Sequence, residues 1–172
     1  AGIAIDRGIV VNDRMETSAE NVFAAGDCAQ GSELTTGTAM TLPVIPVAST
    51  HGMIAGYNMA GQRRTYRGGL SLNALQFGKT QVVSYGFIKD EKDGEVLCVE
   101  DADRSVYKKV IIKDRRVTGA VFVRDIDRAG IFRHLIEQRI DVTPFKEHLL
   151  TSDFGIAHLP VEERARMFTT PQ

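Results

Sequence analysis

The chain has 172 residues, 43% of them hydrophobic and 25% charged, with 21 Lys+Arg against 22 Asp+Glu and a formal net charge of −1. That size suits one good core or one compact domain plus a smaller piece, and the balanced charge gives no electrostatic basis for nucleic acid or an anionic membrane as partner. No apolar run approaches the roughly 18 residues a membrane-spanning helix needs, no secretory signal opens the chain, and two distant cysteines, Cys28 and Cys98, with no CxxC between them suit a reducing, cytoplasmic setting.

In chain order, "GIVVN" (8–12) and "VFAAG" (22–26) read as short apolar strands, joined by a polar connection that holds Thr17. "IPVASTHGMIAGYNMAG" (45–61) reads as one helix, with Pro46 in its first position, where a missing N–H is harmless, and Gly61 at its end. Gly52, Gly56 and Ala60 make a small-residue stripe on it. Composition shifts near residue 62, dividing 1–61 from 62–172 across the basic connector "GQRRTYRGG" (61–69). Strands separated by charged turns follow. "LQFGKTQVVSYGFI" (75–88) breaks at a glycine, "KDEKDG" (89–94) is a turn, and "EVLCVE" (95–100) is a short strand. "SVYKKVIIKD" (105–114) and "RVTGAVFVRD" (116–125) flank Arg115 as an antiparallel hairpin. "DRAGIFRHLIEQR" (127–139) has helical spacing, with Asp127 placed to cap it, and short helices follow around 144–150 and 160–168. The fold class is α/β at the start and mixed, mainly antiparallel α+β beyond it.

The first candidate site is the end of "VFAAGD". A buried strand that ends in Gly-Asp lets Gly26 approach a ligand by its backbone. It also projects Asp27 from the carboxyl end of the strand, where ligands of open parallel sheets sit and where a carboxylate accepts hydrogen bonds from sugar-type hydroxyls. The competing reading is an Asx-type turn in which Asp27 serves only its own backbone. The second candidate is the start of the helix, whose free N–H groups carry positive potential.

The string T-x4-V-F-A-x-G-D (17–27) resembles the second flavin-binding motif of the FAD- and NAD(P)H-dependent pyridine nucleotide-disulfide oxidoreductases, and "GIVVNDRMETS" before it resembles the segment leading into that motif. The helix, beginning 18 residues after Asp27 with "PVA" and then "HG", matches the family pattern as well. The resemblance implies that Gly26 and Asp27 lie at the ribityl chain of FAD. It also implies that the backbone N–H of Ile45, with Val47 in the same turn, faces the pyrimidine side of the flavin. Residues 66–160 resemble the C-terminal domain of NADH-dependent rubredoxin reductases, NADH oxidases and the large subunit of assimilatory nitrite reductase. The expected architecture is therefore the end of an FAD-binding Rossmann-like domain (1–61) and an interface-type α+β domain (62–172).

The family's GxGxxG loops for the FAD pyrophosphate and for NAD(P)H are absent from the sequence, as is any redox cysteine pair. The resemblance thus implies the C-terminal portion of a larger flavoenzyme, cut or cleaved from it rather than separately encoded; the alternative is a non-catalytic dimerisation or redox-partner docking module with a vestigial flavin edge. The partners of that portion are the missing N-terminal part and a second copy in a homo-oligomer. The chain alone is expected to hold FAD weakly or not at all. Cys28 and Cys98 are expected to be buried and inert. The four histidines, at 51, 134, 148 and 158, have no metal spacing. His51 is expected to pack or meet solvent, and Arg63, Arg64 and Arg67 to form a solvated linker.

Overall fold

A computed structural model describes residues 2–88 and 94–168. The chain divides into two compact units, 1–72 and 73–172. The fold is α+β.

In the first unit, β1 (Ile9–Val10), β2 (Ala29–Ser32) and β3 (Ala39–Thr41) form a sheet in that order. β1 runs parallel to β2, with Ile9 opposite Ala29, and β3 runs antiparallel, with Gly31 opposite Met40. The buried Gln30 side chain binds the strand edges together. Its amide donates to Asp6 Oδ2 and the Ala39 carbonyl, and its carbonyl accepts from the N–H groups of Arg7 and Gly8. Helix α1 (Ile45–Met59) lays Val47, Ile54 and Ala55 against Met15, Leu42 and Tyr66 to make the core of this unit. Gly61, at φ +78°, ends the helix as expected. Its N–H bonds the Asn58 carbonyl while the Gln62 N–H reaches back to Tyr57, so the last carbonyls are satisfied. Pro46 is the second helical residue, since Ile45 is already in the helix.

One expected strand does not form. Residues 22–25 carry only an isolated bridge, Glu16 with Phe23, and the strand of this region is β2, seven residues later than the apolar run suggests. The apolar run reflects burial and not pairing. Phe23 and Ala25 pack against the core, and Ala25 is extended (φ −147°, ψ 157°), yet the run has no ladder neighbour among the described residues.

Residues 62–72 belong with the first unit although the composition shift precedes them. Asn58 holds Arg64 from both ends of its amide, the Tyr66 N–H bonds the Asp13 carbonyl, and Gly69 pairs with Ser32 and Leu34.

The second unit is a five-stranded antiparallel sheet in the order β4 (Leu72–Phe77), β5 (Thr80–Gly86), β8 (Arg116–Val123), β7 (Val106–Lys113), β6 (Glu95–Asp101). β7 and β8 form the expected hairpin, closed by Asp114 and Arg115 at φ 48° and 64°, the two positive values that match strand twist. The turn expected at 89–94 lies, save Gly94, outside the described residues. Helix α2 (Ala129–Glu137) buries Ile131, Phe132, Leu135 and Ile136. Phe132 meets Phe122 of the sheet at a centroid distance of 4.7 Å. Asp127 does not cap α2. The N-cap is Arg128, in the left-handed region at φ 65°, whose guanidinium instead donates to the carbonyls of Ser152 and Phe154. A 3-10 segment (Thr143–His148) and α3 (Val161–Phe168) follow.

Candidate functional site

Gly26, Asp27 and Cys28 form a single 3-10 turn between the extended Ala25 and β2. Gly26 adopts φ +81°, which an L side chain rarely tolerates. The demand is conformational and not spatial, because a Cβ there would meet only Ala48 Cβ, at an ordinary 3.7 Å. The same distance shows how the site is assembled: the turn lies against the first two turns of α1. The Gly26 carbonyl accepts from the Ala29 N–H, which closes the turn. The Asp27 side chain is exposed, and none of the hydrogen bonds among the described residues involves its carboxylate. The Asx-type reading required such a bond to the local backbone, and the Asp27 side chain makes none among the described residues.

At the start of α1, Val44 is extended (φ −136°, ψ 137°) and its carbonyl accepts from both the Val47 and Ala48 N–H groups, at 3.0 Å each. Pro46 has no N–H. Ile45 is 86% exposed, and its N–H has no acceptor among the described residues. Val47 points the other way, into the core, at 5% exposure. The structure thus sets Gly26 against Ala48 of α1 and leaves Asp27 and Ile45 exposed, while Val47 anchors the helix from within. The small-residue stripe is open: a Cβ at Gly52 or Gly56 would meet nothing within 4 Å. Asp27 is thus an exposed acidic acceptor, and the Ile45 N–H an exposed donor at the positively polarised end of α1.

Both cysteines are free and exposed, contrary to the buried positions expected for them. Cys28 sits on the outward turn with Sγ 3.5 Å from the Ala25 carbonyl. Cys98 lies on β6, which among the described residues is an edge strand with a partner on one side. The described residues hold no cluster of ligands suited to a metal ion. Arg63, Arg64 and Arg67 are exposed, with Arg64 over the Tyr57 ring.

The first unit also encloses buried polar side chains that sequence reasoning missed. His51 is 1% exposed and Glu33 fully buried. Glu33 Oε2 accepts from the backbone N–H and the hydroxyl of both Thr35 and Thr36, at 2.7–3.0 Å. The run "ELTT" was the available signal, because a carboxylate two and three residues before threonines closes such a loop on itself. His51 meets Tyr66 edge-to-face at 4.5 Å and 84°. Burial pulls the His51 imidazole below its ordinary value of 6.5, with the Gly26 carbonyl opposing. Burial first, and then the Glu33 carboxylate, push the Tyr66 phenol up to about 12.

The Rubredoxin NAD+ reductase C-terminal domain family matches residues 72–140, and the pyridine nucleotide-disulphide oxidoreductase family matches residues 1–52. The chain belongs to the pyridine nucleotide-disulphide oxidoreductases. Within this family, the epsilon subunit of the NADH-dependent phenylglyoxylate dehydrogenase of Aromatoleum evansii is 33% identical over 91% of the chain, which covers 38% of that subunit. The crystal structure of NADH:rubredoxin oxidoreductase from Clostridium acetobutylicum superimposes with a TM-score of 0.63 at 25% identity, over 84% of this chain and 36% of that one. A NAD-dependent persulfide reductase from A. fulgidus shares the fold, with a TM-score of 0.71 at 24% identity, over 82% of this chain and 30% of that one. The chain therefore spans between 30% and 38% of the length of these proteins. The rubredoxin-reductase match falls on the segment whose strand pattern resembles that group.

Proposed function

We propose that this chain supplies the ribityl and pyrimidine side of an FAD site in an oxidoreductase that passes electrons from NAD(P)H through FAD to an acceptor. The observation that carries this reading is the pairing of the Gly26–Cys28 turn with the start of α1. It leaves the Asp27 carboxylate and the Ile45 N–H unclaimed by the chain's own groups. Asp27 would accept from ribityl hydroxyls, Gly26 would admit the cofactor's chain to the backbone, and Ile45 would donate at the helix's positive end, with Val47 fixing the helix from the core. Those residues fit the group. FAD, when bound, supplies the two-electron redox chemistry; the residues here bind and orient it. The pyrophosphate and NAD(P)H sites would come from the remainder of the same flavoenzyme, and the unit of residues 73–172 would serve subunit or redox-partner contacts. No helix among the described residues is long and apolar enough to cross a membrane. Two free, exposed thiols suit a reducing cytoplasm.

The test is Asp27→Ala in the protein expressed from its complete reading frame, with FAD affinity read by flavin fluorescence. Each charge-assisted hydrogen bond is worth about 1.5–3 kcal/mol, so affinity falls by roughly 10- to 150-fold. Unchanged affinity removes Asp27 from the site.

A further inference from the structure

In the second unit, Lys108 is a charged residue where the sheet calls for an apolar one. It pairs in register with Phe122 across β7 and β8, and Val110 pairs with Ala120 two residues on. Alternation therefore turns Lys108 to the face of the sheet on which Phe122 meets Phe132 of α2. Only 9% of Lys108 is exposed. Its ammonium reaches Asp125 Oδ2 at 2.6 Å and makes no other hydrogen bond among the described residues. An ammonium carries three donors, so enclosing it with one acceptor leaves two to be satisfied from elsewhere. Lys108 and Asp125 border a cavity of about 250 Å³ whose apolar wall is made by the rings of Phe122, Phe132 and Phe154. The rings follow one another, Phe122 to Phe132 at 4.7 Å and Phe132 to Phe154 at 5.5 Å. The rim is braced by Arg128, which donates to the carbonyls of Ser152 and Phe154 from a left-handed backbone (φ 65°) that a non-glycine residue adopts only at a cost. The volume falls below the roughly 300–1,000 Å³ of pockets that take drug-sized ligands, so the occupant is small.

We propose that this cavity binds a small monocarboxylate with a flat or branched apolar body: its carboxylate accepts from the Lys108 ammonium alongside Asp125, and its body lies against the three rings. The charges of the lining favour that class. Lys108 is the one buried charge among them, whereas the Asp125 side chain is 39% exposed and Asp127 and Arg128 are exposed. Water and salt therefore screen the acidic groups more than the ammonium. An amine would meet the ammonium as a like charge. An uncharged ligand would gain from the rings but offer the ammonium a weaker acceptor than a carboxylate does. The cavity lies wholly within the second unit, shares no residue with the flavin reading and is tested apart from it.

The test is isothermal titration calorimetry of the full chain at pH 7 with benzoate, and with benzyl alcohol as the same ring without the charge. Benzoate is expected to saturate a single site and to bind at least about tenfold tighter than benzyl alcohol, the size of one charge-assisted hydrogen bond. Lys108→Met keeps a long side chain without the ammonium, and in it the two probes are expected to bind alike. Asp125→Asn keeps the shape but removes the carboxylate that shares the ammonium, and benzoate is expected to bind it several-fold tighter than the wild type. No saturable benzoate binding by the wild type, or equal affinity for the two probes, overturns the proposal. So does a preference for benzoate that survives Lys108→Met or fails to rise in Asp125→Asn. Circular dichroism melts check that the variants fold; if Lys108→Met does not, the wild-type and Asp125→Asn arms decide by themselves.

Discussion

Replacing Tyr66 with Phe removes one oxygen from the core of the first unit, and the structure says what that oxygen does. Tyr66 is 7% exposed, and its hydroxyl is buried without a partner among the described residues. It rests over Gly69, where a Cβ would stand 2.2 Å from Oη. At neutral pH the variant loses no hydrogen bond and sheds the desolvation of a hydroxyl, so it should equal the wild type or exceed it by about 1 kcal/mol. Alkaline pH separates them. The phenol ordinarily releases its proton near 10.0 but holds it to about 12 in the fold. Between those values the unfolded chain binds fewer protons than the folded one, so stability falls as pH rises. At 1.36 kcal/mol per pH unit, the wild type loses about 1.4 kcal/mol by pH 11 that Tyr66→Phe does not. Urea unfolding followed by circular dichroism at pH 7, 9 and 11 measures the gap, with an unchanged m-value as control. Parallel curves, or a variant more than about 1 kcal/mol less stable at pH 7, refute the reasoning, because the hydroxyl must then be bonded.

Acid tests the neighbouring ring. His51 holds its proton less tightly in the fold than its ordinary value of 6.5, so below that pH the unfolded chain binds more protons and stability falls as pH falls. The slope between pH 7 and 5 should flatten in His51→Gln. Asp141 and Asp153, held below 3.8 chiefly by hydrogen bonds from Thr143 and Thr151, weaken the fold only at lower pH. Glu33→Gln should destabilise the first unit by about 2 kcal/mol, since a charged acceptor of four hydrogen bonds becomes neutral; unaltered urea midpoints contradict this. Gly119→Ala should cost roughly 3 kcal/mol, because a Cβ there would stand 1.7 Å from the Phe87 carbonyl oxygen. A soluble variant with native thermal stability shows that β5 and β8 can separate.

The hairpin at 114–115, the helix at 45–59 with its glycine end and the amphipathic α2 were legible in the sequence because their causes are local. Two strand-like runs flank a short polar break, a proline starts a helix, and apolar spacing follows 3.6 residues. The Gly-Asp pair reads in the sequence as the end of a strand, and the structure instead places it in a 3-10 turn after an extended run without a ladder. What required the tertiary structure depends on residues far apart in the chain. Whether 22–25 is a strand turns on a neighbour to pair with, and the described residues offer it one isolated bridge at Phe23, whereas 29–32 pairs with two strands. Whether Cys98 is buried turns on which strand ends the sheet. The group of Glu33, His51 and Tyr66 comes from a loop, a helix and a connector, and nothing in their spacing announces it. Patterning records how much apolar surface a segment must hide; only the packed chain decides against what it hides, and which polar groups are enclosed in the process.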